Sequence, residues 1–308
     1  MTILVRRSNL LVSLDDSAAV NDAWRYDADA ITLDLATVPV ARRTDARTRI
    51  RRSIAAAARG GAEVFVRIDK AFLHADLDAA IWPGLDGIVL SNVESEHEVR
   101  EAEAALVALE RARGIVVGSL GLILLLESAR AIWDMRSILH ASPRIAQAGI
   151  DEAELARGLG FEPLPELDPF VYARGRLAVE ATAAKVAPIG MAYPLSLFAR
   201  EADEQEIETL AIKAKNLGMK GVLCPHPSWV GPVNKAFTPS TELVAYNKRV
   251  REAFAAGVAA GTAAVPLDGR MIDVPVDEWA IVVLAMAEAC AKRDAEKAAA
   301  VNRLRRDG

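Results

Sequence analysis

The sequence predicts an α/β protein, a (β/α)8 TIM barrel with a C-terminal helical extension, on three observations. Eight short apolar, β-branched runs recur between residues 9 and 226. Longer alanine-rich stretches with charges at helical spacing separate them, and past residue 230 the alternation stops. Strands alternating with helices imply a parallel sheet with helical crossovers, and eight such units are the number that closes this kind of barrel. A doubly wound open sheet has the same alternation, because pattern alone does not fix closure. The expected organisation is a barrel over residues 1–230 and an extension over 231–308, packed on the barrel or on a neighbouring subunit.

The runs are NLLVSL (9–14), AITLDL (30–35), EVFVRI (63–68), GIVLS (87–91), LILLLE (122–127), RIAQAGI (144–150), PIGMAY (188–193) and GVLCPH (221–226). Between them TDARTRIRRSIAAAARGG, EHEVREAEAALVALERAR and DEQEIETLAIKAKNLG read as helices. The last of these ends at Gly218, a residue suited to the left-handed position after a helix. Beyond residue 230, STELVAYNKRVREAFAAGVAAG reads as a helix, VPLDGRMIDVP as a turn or hairpin, and a final helix starts at about Val276. The most loop-like segment is FEPLPELDPFV (161–171), an active-site rim or a surface connection.

With 308 residues, 52% of them hydrophobic, the chain can bury a large core. Lys and Arg number 37 against 42 Asp and Glu, a net charge of −5, so no cationic excess is available for a nucleic-acid backbone. Apolar runs fall far short of the roughly 20 residues that a membrane span needs, so neither nucleic acid nor a membrane is an expected partner. Cys224 and Cys290 lie far apart, with no zinc-type spacing, which favours a reducing compartment and a cytoplasmic protein.

In a parallel barrel the loops after the C-terminal strand ends form one face, and the chemistry gathers there. The polar residues at those ends are Asp34, Arg67, Asn92, Glu94, Glu127, Asp151, Glu152, Glu154 and His226. Any one carboxylate could be a helix cap. Several acids converging with an arginine are harder to explain by capping, because unpaired charge is costly to bury. Glu127 and one acid from residues 151–154 could hold a hard divalent ion through oxygen, and magnesium fits best. Arg67 could bind a carboxylate or stabilise an enolate oxygen, or form a buried ion pair with Asp34 or Glu94. His226, in PHP, is equally a loop cap, and His74, His97 and His140 lie in polar contexts.

The chain resembles the citrate lyase β-subunit-like family, within the group that includes malyl-CoA lyases and HpcH/HpaI-type 2-oxo-acid aldolases. The resemblance is carried in order by RRSNLLV, ADAITLDLATV with ARRTDAR, VRID, GLDGIVLSNVES, LLLESARAIWDMRSILHASPRIAQAGIDEAELARGLG, YARGRLAVEATAAKVAPIG, AKNLGMKGVLCPHPSWVGPVNKAFTP and DGRMIDVPV. It implies a magnesium-dependent barrel with a C-terminal extension, assembled as a homotrimer or hexamer. By position it assigns Glu127 as a metal ligand and Arg67 as the substrate-binding arginine, which in the implied reaction would also stabilise the enolate. Glu154 stands where the family has its second metal ligand, an aspartate. Asp273 matches a C-terminal acid that reaches a neighbouring subunit's site as an acid/base group. Asp34 is the retained first acid of the family's DLED, here DLAT. Ser13 and Leu14 replace a proline-glycine, LPKVE has become LSNVE with Asn92 for lysine, and Val222 replaces another lysine. These changes remove groups suited to coenzyme A, leaving Arg6, Arg7 and Arg43 as candidate phosphate contacts.

The implied activity is a carbon–carbon lyase or aldolase that cleaves or forms a β-hydroxyacyl-CoA such as malyl-CoA or citramalyl-CoA, through a 2-oxo acid and a thioester enolate. The rivals are a coenzyme A-independent 2-oxo-acid aldolase, an acyl-CoA thioesterase, and a non-catalytic barrel.

Overall fold

The computed structural model describes residues 3–162, 164, 166–191 and 203–307. Eight parallel strands and their crossovers follow the chain. The first half holds β1 (Ser8–Ser13), α1 (Ser17–Asp22), β2 (Ala30–Asp34), α2 (Val40–Ala57), β3 (Glu63–Asp69), α3 (Leu73–Ala80), β4 (Gly87–Ser91) and α4 (Glu96–Ala112). Then come β5 (Gly121–Leu126), α5 (Ala129–Trp133), α6 (Met135–Leu139), β6 (Ile145–Ile150), α7 (Glu152–Leu159) and α8 (Val171–Ala183). The set ends with β7 (Ala187–Ile189), α9 (Glu204–Asn216), β8 (Val222–Cys224) and α10 (Val230–Phe237).

Every strand falls on one of the eight runs expected from the sequence. The ladder runs β7-β6-β5-β4-β3-β2-β1-β8. Two backbone bonds join its ends, from Lys220 N to Pro188 O at 2.7 Å and from Gly190 N to Gly221 O at 3.0 Å. This closure settles the barrel over the open sheet. In the run PIGMAY, Ala192 and Tyr193 lie outside the described residues, as do Pro163 and Pro165 of the rim segment.

Strand alternation sorts side chains onto two surfaces. Leu10, Val12, Ile31, Leu33, Val64, Val66 and their counterparts face the helices in the main core. Phe65, Val89, Ile123, Leu125 and Ile189 fill the barrel interior. At the N-terminal end of the interior, Arg6 donates through Nε and Nη2 to Glu63 at 2.8 and 2.9 Å, and through Nη1 to Gln147 Oε1 at 2.9 Å. Its guanidinium lies 4.5 Å from the centre of the Phe65 ring. Glycine makes the room: a Cβ on Gly87 would sit 2.2 Å from Gly121 O and 2.9 Å from Phe65 Cε1.

Two compact units divide the chain. One comprises Arg6–Phe237 with the residues from Ala300 onward, the other Thr238–Ala299 with the first residues up to Val5. Helix α10 therefore belongs to the barrel unit, tied to it by Ser8 Oγ donating to Asn234 Oδ1 at 2.7 Å. The smaller unit holds α11 (Thr241–Ala259), a hairpin of β9 (Val265–Leu267) and β10 (Arg270–Ile272), and much of α12 (Val274–Asp307). The hairpin turns on Asp268 and Gly269, with φ of 49° and 75°, the pair of positive values that a two-residue Asp-Gly turn requires. Val250, Ile272 and Ala280 form the unit's core. Among the described residues no helix is long and apolar enough to cross a membrane.

Because the space a Cβ would take at Gly87 is backbone and an aromatic ring, Gly87→Ala must push β4 from β5. We expect a loss of about 3 kcal/mol or more in urea-induced unfolding; a loss below about 1 kcal/mol would show that the interior relaxes freely.

Candidate active site

The C-terminal mouth of the barrel is organised around Arg67, near the end of β3. Residues two apart on a strand share a face, so the register that buries Phe65 inside the barrel also turns Arg67 inward. Its Nε donates to Ser91 Oγ at 2.6 Å, and its Nη2 donates to Glu127 Oε1 at 3.0 Å and Asp151 Oδ2 at 3.2 Å. Asp34 Oδ2 lies 3.5 Å from Nη1. One cation thus faces three carboxylates from β2 and from the ends of β5 and β6.

Neither Glu127 nor Asp151 is explained by capping alone. Ser128 caps α5 by accepting from Ala131 N, which leaves Glu127 without that role. Asp151 divides its oxygens: Oδ1 accepts from Glu154 N and caps α7, while Oδ2 faces Arg67. Asp34, almost fully buried, accepts from Thr37 N through Oδ1 at 3.2 Å, which fixes the turn after β2.

The excess negative charge marks the site electrostatically. Burial, with Asp151 adding repulsion against the attraction of Arg67, pushes the Glu127 carboxyl up to about 7. Burial works against the charge on Arg67, but Asp34, Asp151 and Glu127 together hold its pKa above the ordinary value. A divalent cation would relieve this imbalance. Glu127 and Asp151 supply hard oxygen donors from adjacent strand ends, the one-or-two-carboxylate arrangement that magnesium uses with water and substrate oxygens. Among the described residues no group of three or more His, Cys, Asp or Glu is placed to hold a metal ion.

A second layer braces the mouth. Glu94 receives a hydrogen bond from Ser128, and with Lys70 this holds its carboxyl below the usual range. Lys70 Nζ donates to Glu94 at 3.1 Å and to Glu98 at 2.9 Å. Asn92, directly after β4, adopts φ 62°, a left-handed conformation that asparagine tolerates better than most residues. Ser91 and Ser128 were not among the residues singled out from the sequence. The signal for Ser91 was its place two residues beyond Val89, which faces the interior.

Other expected site residues lie elsewhere. Glu154 sits on the partly exposed first turn of α7 and its carboxylate pairs with Arg157. Arg7 is not available to a phosphate, because it precedes β1 at the opposite end of the barrel and pairs with buried Asp29 at 2.8 Å. Arg6 is enclosed in the interior, as described above. Arg43 is also withdrawn from ligands: it is 4% exposed, donates to Ala36 O at 2.7 Å and stacks 4.2 Å from the Phe72 ring. His226 Nδ1 accepts from Ser228 N as the cap of a short turn. Asp273, in the smaller unit, caps α12 by accepting from Val276 N through Oδ1.

A carboxyl raised in the folded state binds its proton more tightly there than in the unfolded chain. Glu127 therefore contributes stability below about pH 4.5 that is lost as pH rises to about 7, an effect on the order of 3 kcal/mol. In metal-free buffer at pH 8, Glu127→Gln is expected to raise the thermal unfolding midpoint and flatten this dependence. A midpoint below that of the parent protein, with the pH dependence intact, would contradict the assignment.

Comparison with known proteins agrees with this architecture. Residues 7–227 match the HpcH/HpaI aldolase/citrate lyase family. The citrate lyase subunit beta of Escherichia coli strain K12 is 28% identical over 287 residues, covering 92% of this chain and 93% of the relative. The L-malyl-CoA/beta-methylmalyl-CoA lyase of Rhodobacter capsulatus is 26% identical over 290 residues, covering 85% and 88%. Among solved structures, CitE of Mycobacterium tuberculosis in complex with magnesium, acetoacetate and coenzyme A superposes with a TM-score of 0.70 at 22% identity, covering 92% of this chain and 98% of that one. A citrate lyase from Burkholderia xenovorans LB400 gives 0.75 at 16% identity, covering 96% and 97%. Since the family match takes in all eight strands, from Ser8 to Cys224, the chain belongs to the HpcH/HpaI aldolase/citrate lyase family.

Proposed function

We propose that this protein is a magnesium-dependent carbon–carbon lyase that cleaves or forms a β-hydroxyacyl-CoA, with a 2-oxo acid and a thioester enolate as the two halves of the reaction. The carrying observation is the Arg67 guanidinium held among Glu127, Asp151 and Asp34 at the barrel mouth. The relatives named citrate lyase and malyl-CoA lyase support the reaction class.

Glu127 and Asp151 are the residues that would hold the ion, which when bound polarises the oxygen of the oxo acid. Arg67 stabilises charge on the enolate oxygen. Its orientation is set before substrate arrives, by Ser91 on Nε and Asp34 beside Nη1. The interior below it, lined by Val89, Ile123 and Leu125, is apolar, and a low-dielectric surrounding strengthens its electrostatics. Proton transfer to the enolate carbon and from the substrate hydroxyl falls to Asp273 of a neighbouring copy in a homo-oligomer. Its Oδ1 caps α12.

A second reading, an aldolase acting on free 2-oxo acids without coenzyme A, is favoured by one observation. The cationic groups expected for a phosphate-rich carrier are missing or occupied: Asn92 and Val222 are neutral, and Arg7 and Arg43 are buried on protein partners.

Turnover of malyl-CoA, citramalyl-CoA and the corresponding free hydroxy acids, assayed with and without magnesium, separates the two readings. Cleavage of the free acids alone would remove coenzyme A from the proposal. Arg67→Lys is expected to lower kcat by about 100-fold or more, since a point charge replaces an oriented fork.

For the metal, we expect Asp151→Asn to abolish the calorimetric magnesium signal and Glu154→Gln to retain it. The reverse pattern would return the second ligand to Glu154.

A further inference from the structure

Away from the mouth, α1 and α2 leave a groove of about 500 Å3 on the outer wall of the barrel. Its polar lining is Ser17, Asn21, Arg49, Arg52, Ser53 and Arg59, and among the described residues no carboxylate lines it. Three guanidinium groups therefore share one concavity on a protein whose net charge is −5.

Abundant arginine on α2 does not account for this. The other arginines of the helix have partners: Arg42 pairs with Asp15, Arg47 with Asp76, Arg43 stacks on Phe72 and Arg51 on Trp82. Arg52 and Arg59, by contrast, are exposed and have no ion pair among the described residues. Arg49 is held toward Ser17, with Nη1 donating to Ser17 Oγ at 3.1 Å, and among the described residues its one acid is Asp45, 2.9 Å away and itself largely exposed. The Arg49 Nε is sealed from solvent with no hydrogen-bond partner. Three like charges with one largely exposed counter-charge, Asp45, repel one another, and a buried donor without a partner is costly. Both costs fall when an anion with several oxygens enters, because guanidinium groups bind phosphate oxygens through paired N–H donors.

We propose that this groove is an anion site for an oligophosphate group, bound by Arg49, Arg52 and Arg59 with the hydroxyl of Ser17. It stands apart from the Arg67 cluster and does not rest on the lyase reading. The ligand is either a free diphosphate compound or the diphosphate of a nucleotide carrier such as coenzyme A, whose chemistry at this surface is the same.

The test is calorimetric titration of the full-length protein with pyrophosphate in magnesium-free buffer at low ionic strength. We expect a dissociation constant below about 1 mM, weakened at least about tenfold in an Arg52→Ala, Arg59→Ala double variant. Both side chains are exposed, so the variant should fold, and an unchanged far-UV spectrum and unfolding midpoint check this. Coenzyme A added as competitor distinguishes the sources: displacement of pyrophosphate assigns the groove to the carrier, and independent binding assigns it to a free diphosphate. Absence of pyrophosphate binding, or equal affinity in the folded double variant, overturns the proposal.

Discussion

The Arg67 guanidinium among three carboxylates is the interaction on which the mouth of this barrel depends. Each acid comes from a different strand, so the arginine ties β2, β3, β5 and β6 through charge where their backbones stop pairing. The cluster is nevertheless unbalanced, with more acid than base. Uncompensated charge of this kind carries a cost in stability, the relation between stability and function expected of a site built to bind.

The two ends of the interior solve the same problem differently. At the N-terminal end Arg6 meets Glu63, Gln147 and the Phe65 ring, so its charge is matched and its donors are used. That end is finished as structure. At the C-terminal end the polar groups outnumber their partners. The apolar layer of Val89, Ile123 and Leu125 separates the two, which keeps one electrostatic system from compensating the other.

Most of the fold was legible because its signal is local. Hydrophobic runs such as LILLLE and GIVLS contain their own strand information, and the positions of all eight follow from them. Closure needed the backbone bonds between Pro188, Gly190, Lys220 and Gly221, which no single run encodes. In the site, Arg67 and Glu127 were recognisable as polar residues ending apolar strands. Asp151 faces Arg67 because Gln147, Gly149 and Asp151 continue the period of two along one face, whereas Glu154 already follows the helical turn. Arg7 and Arg43 could not be assigned from sequence because their partners, Asp29 and the Ala36 carbonyl, are set by tertiary packing.

Ser91 has a further consequence. An arginine side chain keeps a good deal of rotational freedom, and a guanidinium held only through its terminal nitrogens can still swing about the bond to Cδ. Accepting from Nε removes that rotation. A proline at this position would have no hydroxyl to offer. The serine here turns Arg67 into a rigid fixture whose direction is inherited from β4, so the ordering entropy is settled during folding rather than at each encounter with a ligand.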